Sequence, residues 1–136
     1  MKYKKGFKYQ LAEDYSISIK KLVEEKIELD FITLIPQGDF FAKLTIKKGY
    51  AWDGASGITI DTKSSMRGAL IHDALYQLMR MELIDIKWRK YADELLRDLC
   101  IEDGMWRWRA NAWYNAVQNF ADFAADPKSL KKIIEV

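Results

Sequence analysis

The chain has 136 residues, of which 49% are hydrophobic and 31% are charged, and its formal net charge at neutral pH is +2. This composition is typical of one globular domain with its own core and is too apolar for a disordered chain. The small net charge provides no global field for holding nucleic acid, so we do not expect a nucleic acid partner. The longest apolar runs are only a few residues, which excludes a membrane-spanning segment.

Two local features bear on the compartment. The N-terminal residues Met1–Gly6 are basic but are followed by no apolar stretch, so we expect no export signal peptide. Cys100 is the only cysteine, which excludes an internal disulfide and fits a reducing compartment. Because Cys100 lies between Leu99 and Ile101, we interpret it as a small core residue rather than a nucleophile.

The first part of the chain, from about residue 4 to about residue 60, has the pattern of strands. Four segments alternate apolar and polar residues with a period of two, which places one face on a core and one in water. These segments are Phe7–Leu11, Tyr15–Ile19, Ile27–Phe31 and Phe40–Lys47. Between the last two, Pro36–Asp39 is a typical tight-turn sequence. We therefore predict an antiparallel sheet of three to five short strands.

The second part, from about residue 62 to about residue 125, has the pattern of helices. The first helix is expected to begin near Thr62 or Ser64, with Asp61 or Thr62 as its N-cap. A second helix follows, and Gly104 is its predicted stop. The third has an apolar stripe whose members recur every three or four residues. That stripe consists of Trp106, Ala110, Trp113, Val117, Phe120 and Ala124.

No repeat, linker or low-complexity stretch divides the chain. We therefore predict a single α+β domain over residues 1–136. Its N-terminal antiparallel sheet would pack against about three C-terminal helices. A short Lys-rich tail would follow Pro127.

The junction between the two halves is unusual. The segment Gly49–Gly57 contains three glycines, a Trp and an Asp. Glycines at this density allow positive φ and expose backbone amides and carbonyls. A sheet-to-helix connection of this kind can form a pocket, and loops often carry function. The predicted pocket-loop residues are Trp52, Gly54, Ala55 and Ser56.

The candidate chemical site is built around His72, the only histidine. Tyr76 lies one helical turn later on the same side, and Asp73 is rotated by about 100°. Asp93 has a similar position at the edge of the apolar face of the next helix. If these helices pack antiparallel, Asp93 can reach either His72 or Tyr76. A carboxylate bonded to one imidazole nitrogen fixes the tautomer and raises the basicity of the other, which would make His72 a general base for activating water.

A metal could accompany this site. Asp73, together with carbonyls of the Gly-rich loop and Asp53, could hold a hard cation such as calcium. Zinc is not expected, because one His and one Cys with no ligand spacing do not make a zinc site.

A non-catalytic interpretation stays open. A single histidine between apolar residues is more often a boundary residue with satisfied hydrogen bonds than a catalyst. Asp93 also has an ordinary explanation, since Arg89 and Arg97 lie one turn before and after it and are natural ion-pair partners. Under this interpretation the polar residues form a buried structural network.

The sequence Trp106–Arg109 alternates Trp and Arg, which is a pattern that can bind nucleic acid by stacking and phosphate contact. Because Trp106 begins the apolar stripe and Arg107 is turned away from it, we interpret this segment as a core helix with a solvated basic side. Should binding occur, Trp108 and Arg109 are the residues to test.

Three blocks of sequence resemble an uncharacterised family of phage and prophage proteins whose domain has no known function. The blocks are Gly49–Ser56, His72–Tyr76, and Arg89 with Ala92–Asp93, and the resemblance extends to about Phe120. Many members of that family have a proline soon after the first block, where this chain has Gly57–Ile60. The resemblance implies a phage or prophage setting, in the bacterial cytoplasm or the virion, with other phage proteins or a host factor as partners. It implies no activity.

The His72-Asp73-x-x-Tyr76 pattern, with Asp93 on the next helix, is similar to the catalytic helix and partner aspartate of secreted and parvoviral phospholipases A2. This resemblance implies that His72 activates water, Asp73 binds calcium, and Asp93 with Tyr76 orients the histidine. The chain lacks the cysteines that cross-link the helices of those enzymes, and its loop lacks their closely spaced glycines. The expected function is thus a phage accessory protein with a calcium-dependent, phospholipase-like hydrolase site. The alternative is a virion-structural or host-interaction protein.

Overall fold

The computed structural model describes residues 1, 3–4, 9–52 and 63–125, with the side chains of 3–4 and 120–125 left aside. Antiparallel strands precede three helices, so the predicted α+β class and the order of its two parts are confirmed. The contacts divide the chain into two compact units, Met1–Asp53 and Gly54–Val136. The interpretation of the whole chain as one domain stays a prediction. Of the helices in the described ranges, none combines the length and apolarity needed to cross a membrane.

The first unit contains a four-stranded antiparallel sheet with the order β3-β6-β5-β4. Its strands are β3 (Tyr15–Lys20), β4 (Ile27–Glu28), β5 (Ile32–Gln37) and β6 (Phe41–Ile46). The period of two puts one set of side chains into the core, because alternate residues of a strand face opposite sides of the sheet. The buried set on these strands includes Ile19, Ile32, Leu34, Ala42, Leu44 and Ile46.

The connection from β4 to β6 differs from the prediction. The strand predicted over residues 27–31 has only two paired residues, and a separate strand, β5, follows it and includes Pro36 and Gln37. The turn begins at Gly38, which has a φ of 80°. Proline is tolerated at Pro36 because β4 pairs only with Thr33 and Leu34, so no strand on that side needs an amide hydrogen from Pro36.

A second, three-stranded sheet has the order β1-β2-β7 and is also antiparallel. Its strands are β1 (Tyr3–Lys4), β2 (Tyr9–Leu11) and β7 (Ala51–Trp52). Trp52 is opposite Tyr9 in the register, and the centroids of the two rings are 5.8 Å apart. Trp52, the first residue of the predicted pocket loop, is thus a paired and buried strand residue.

The second unit contains the helices α1 (Lys63–Arg80), α2 (Arg89–Glu102) and α3 (Arg107–Ala125), with a short 3-10 helix, Ile86–Trp88, before α2. The predicted N-cap of α1 at Asp61 or Thr62 lies outside the described residues. The predicted stop at Gly104 is present. Gly104 has a φ of 105°, and its amide and that of Met105 donate to the carbonyls of Ile101 and Cys100.

An ion pair joins the start of α1 to the end of α2, so the two helices run antiparallel. The guanidinium of Arg67 donates to both carboxylate oxygens of Asp103 at 2.9 and 3.0 Å and also pairs with Glu102. Cys100 is completely buried in α2, which confirms its interpretation as a core residue.

The apolar stripe predicted for α3 is wrong at its first position. Ala110 and Trp113 are buried, but Trp106 has 72% of its surface exposed and Trp108 has 67%. The helix begins at Arg107, so Trp106 precedes the first helical residue and the stripe does not extend to it. Met105 fills the buried position next to it instead. Phe120 and Ala124 lie among the residues whose side chains are not described.

Candidate functional site

Asp93 is the centre of the site. It lies on α2 at a position where the neighbouring members of the buried face, Ala92 and Leu96, are apolar, and its own exposure is 0%. Among the residues that the structure describes, it is the only carboxylate that is buried. Burying a charged group is costly unless hydrogen bonds satisfy it. The partners of Asp93 therefore define what this position does.

Two of these partners come from α1. The imidazole Nε2 of His72 lies 2.6 Å from Oδ1 of Asp93, and the Tyr76 hydroxyl donates to the same oxygen, also at 2.6 Å. His72 and Tyr76 are one turn apart, and their ring centroids are separated by 4.1 Å. The structure thus brings together all three residues predicted as catalytic, and Asp93 contacts both candidates rather than one of them.

The third partner is Gln118 on α3, which sequence reasoning missed. Its side-chain amide donates to Oδ2 of Asp93, so the two carboxylate oxygens are held from two different helices. The only sequence indication was a polar residue beside Val117 at the edge of the α3 stripe, and that pattern does not specify a partner. With Gln118 included, the carboxylate of Asp93 links α1, α2 and α3.

The hydroxyl of Tyr76 stays protonated in this environment. Burial of the side chain raises its pKa well above the ordinary value, and the hydrogen bond to Asp93 and the negative charge of Asp93 raise it further. Arg89 opposes this change with a smaller effect. Tyr76 therefore acts as a permanent hydrogen-bond donor to Asp93.

Arg97, one of the two arginines predicted as ion-pair partners of Asp93, has other contacts. Nε of Arg97 donates to Asp98 at 3.0 Å, and its guanidinium lies 4.9 Å from the centroid of the Tyr114 ring. Arg97 is thus engaged on the surface, while the buried carboxylate is satisfied by His72, Tyr76 and Gln118.

An ionised Asp93 also fixes the roles of the two imidazole nitrogens. As a carboxylate, Asp93 can only accept, so Nε2 of His72 carries the hydrogen and the lone pair of a neutral ring is on Nδ1. The side chain of His72 retains 13% exposure, whereas Asp93 is sealed. The arrangement can therefore accept a proton at Nδ1 and stabilise the resulting imidazolium with a buried carboxylate.

The predicted metal and loop residues are described only in part. Asp73 is half-buried on α1, next to His72 in sequence. Asp53, Gly54, Ala55 and Ser56 lie outside the described residues, and Trp52 belongs to the first unit. Within the described ranges, no three His, Cys, Asp or Glu side chains are grouped so that they could hold a metal ion.

A cavity of about 480 Å³ in the second unit lies at the junction of α1 with the 3-10 helix. None of the predicted site residues lines it. Its lining residues are Met79, Glu82, Leu83, Ile84, Asp85 and Ile86.

Fold and site together define an α+β protein with a His–Asp–Tyr–Gln hydrogen-bonded cluster in its helical unit. No protein-family model, curated protein or solved structure matches this chain.

Proposed function

We propose that this chain is a phage or prophage accessory protein whose helical unit hydrolyses an ester, with His72 as the general base. The observation that supports the proposal is the 2.6 Å contact between Nε2 of His72 and the buried carboxylate of Asp93. A buried carboxylate on one imidazole nitrogen is an arrangement that orients a histidine for proton transfer at the other. The phage setting rests on the sequence resemblance described above.

In the proposed reaction, His72 acts through two proton transfers at its Nδ1 atom. A water molecule attacks the ester carbonyl carbon while Nδ1 removes one of its protons, and the carbonyl electron pair moves to oxygen. The tetrahedral intermediate then collapses, the bond to the alcohol oxygen breaks, and the imidazolium returns the proton to the departing alcohol. Asp93 stabilises the imidazolium throughout, while Tyr76 and Gln118 hold Asp93 in place.

Calcium is a separate prediction. When bound, it would polarise the ester carbonyl, with Asp73 among its ligands. A ligand that binds only the folded state raises the melting temperature. We expect calcium to raise it and Asp73→Asn to abolish the effect. Equal melting temperatures in calcium and in EGTA would remove calcium from the proposal without affecting the role of His72.

A direct test compares His72→Ala with the unaltered protein on chromogenic acyl esters and on phospholipid micelles. Loss of a general base lowers the rate by about 10²- to 10⁴-fold. Gln77→Ala is a matched control, because Gln77 lies on the same helix, one residue beyond Tyr76, and its side-chain amide is directed at the sulfur of Met81. We expect activity to be lost in His72→Ala and retained in Gln77→Ala, with both variants folded by circular dichroism. Turnover that survives His72→Ala would end the proposal.

A second function is favoured by the complete burial of Asp93 and by its hydrogen bonds to two other helices. In this case the cluster is structural, and the chain is a virion component or a host-interaction protein without catalysis. Removing one donor then leaves part of a buried carboxylate unsatisfied, at a cost of about 1–3 kcal/mol. Under this alternative, His72→Ala and Tyr76→Phe lower the melting temperature, and no ester is turned over by any form of the protein.

A further inference from the structure

A pair of tryptophans is exposed where α3 begins. Trp106 and Trp108 have 72% and 67% of their surfaces in solvent, and their ring centroids are 6.2 Å apart with an interplanar angle of 58°. Trp113 on the same helix is only 6% exposed and belongs to the core. Two large aromatic side chains side by side in water are unusual for a surface that binds nothing.

One cation and two amides accompany the two rings. Arg107 lies between them in sequence and is exposed, and the first turn of α3 has no acidic residue. One and two turns beyond Trp108, on the same side of the helix, Asn111 and Asn115 are also exposed. We call this surface, formed by Trp106, Arg107, Trp108, Asn111 and Asn115, the α3 aromatic face.

We propose that the α3 aromatic face binds single-stranded nucleic acid, with the two tryptophans stacking on bases and Arg107 contacting a phosphate. Flat rings with an adjacent cation are the elements by which single strands are held without regard to sequence. The amides of Asn111 and Asn115 can bond to phosphates and base edges. The hydrocarbon core of a bilayer would offer these amides no hydrogen bonds. The net charge of the whole chain is only +2, so the attraction for phosphate depends on Arg107 beside the two rings.

The proposal is independent of the hydrolytic one, because none of these residues contacts Asp93 or His72 in the described hydrogen bonds. We expect weak binding, with a Kd of about 10⁻⁴ to 10⁻⁶ M, which is the range of contacts without sequence readout. The test uses fluorescence anisotropy of a labelled oligothymidylate of twenty nucleotides at low salt. A second oligonucleotide of the same length with abasic sites keeps the phosphates and removes the bases.

Stacking predicts that the abasic strand binds at least about tenfold more weakly, and that Trp106→Ala and Trp108→Ala each weaken binding of the thymidylate to a similar degree. Arg107→Ala should reduce the slope of log K against log salt by about 0.7. Phe40→Ala is the matched control, because Phe40 is an exposed aromatic residue of the first unit. This variant should bind the thymidylate with unchanged affinity.

Three results would overturn the proposal. One is the absence of saturable binding to the thymidylate. Another is equal affinity for the thymidylate and the abasic strand, because attraction would then be electrostatic alone. The third is binding to anionic phosphatidylglycerol vesicles that depends on Trp106 and Trp108 while the thymidylate does not bind, which would assign the surface to lipid.

Discussion

At the scale of the residue, Asp93 shows why a sequence pattern could locate the site but could not interpret it. Asp93 occupies a position on the buried face of α2, and its neighbours on that face are apolar. A charged residue there has to be satisfied by partners, and the spacing of His72 and Tyr76 identified two of them in advance. Gln118 could not be predicted, because its contact depends on how α3 packs, and no local pattern encodes that.

Cys100 provides a prediction about alkaline pH. Burial, together with the charge of Asp103, raises the pKa of its thiol from 9.0 to about 12. In the unfolded chain the thiol loses its proton near its ordinary pKa, whereas in the folded chain it keeps it. Unfolding therefore releases a proton in this window, and the stability that is present below pH 9 is lost as the pH rises toward 12, by up to about 1.4 kcal/mol per pH unit.

Urea unfolding at pH 8, 9 and 10 measures this dependence. Cys100→Ala should have a lower stability at every pH because it leaves a cavity, but its stability should fall less steeply with pH. The pKa of Tyr76 is also raised, so its ionisation lowers the stability of both proteins at still higher pH. Parallel stability curves for the two proteins would show that the thiol does not titrate as described.

Glu82 provides a second prediction at this scale, because two helices of the second unit end in the same way with different residues. After α2, Gly104 has a positive φ, and after α1 the corresponding residue is Glu82, with a φ of 60°. The amides of Glu82 and Leu83 donate to Met79 and Leu78 in the pattern that closes a helix with a left-handed residue. A non-glycine residue pays about 1–2 kcal/mol for this conformation.

We therefore expect Glu82→Gly to raise the free energy of unfolding by about 1 kcal/mol. The gain is smaller than the strain that is removed, because glycine loses more conformational entropy on folding. Glu82→Ala is the control, since it removes the charge and keeps Cβ. The measurement is a thermal or urea unfolding curve. A Glu82→Gly variant no more stable than Glu82→Ala would contradict the assignment of strain.

At the scale of the element, the packing of α1 on α2 depends on Gly68. A Cβ added there would lie 3.0 Å from Sγ of Cys100 and 3.1 Å from the carbonyl oxygen of Leu96. In an exposed helix, alanine would be better than glycine by about 1 kcal/mol. Here a methyl group would lie closer to α2 than ordinary van der Waals contact, so the helices that carry His72 and Asp93 approach each other closely at a glycine.

Gly68→Ala is therefore expected to destabilise the protein by about 1–3 kcal/mol despite the gain in helix propensity. Because Sγ of Cys100 is the nearest obstacle, Cys100→Ala in the same chain should recover part of the loss, which a double-mutant cycle measures. A Gly68→Ala variant that is more stable than the unaltered protein would show that the helices can separate without cost.

The elements themselves were predictable to different degrees. The period of two in Tyr15–Lys20 and Phe41–Ile46 and the glycine after α2 are local patterns, and the structure has strands and a helix end at those places. The split between β4 and β5 was not predictable, because strand pairing decides it rather than local periodicity. Trp106 was assigned to the core because its spacing fits the stripe, but the start of α3 lies one residue later.

At the scale of the whole molecule, the class and the order of strands before helices followed from periodicity alone. The division of the strands into two sheets did not, since the pairing of β2 with β7 joins residues about forty positions apart in sequence. The candidate site lies entirely in the helical unit, on three helices that the Asp93 carboxylate links. The site is therefore an arrangement of helix packing, and whatever disturbs that packing should disturb His72.

The most direct test of this account is the tautomer of His72, which nitrogen NMR can measure without ambiguity because untagged protein contains a single histidine. We expect the neutral form of the ring to have its hydrogen fixed on Nε2, and this preference to be lost in Asp93→Ala. An imidazole with its hydrogen on Nδ1, or one that exchanges freely between tautomers as in a solvated histidine, would contradict the His72–Asp93 pair and the chemistry proposed from it.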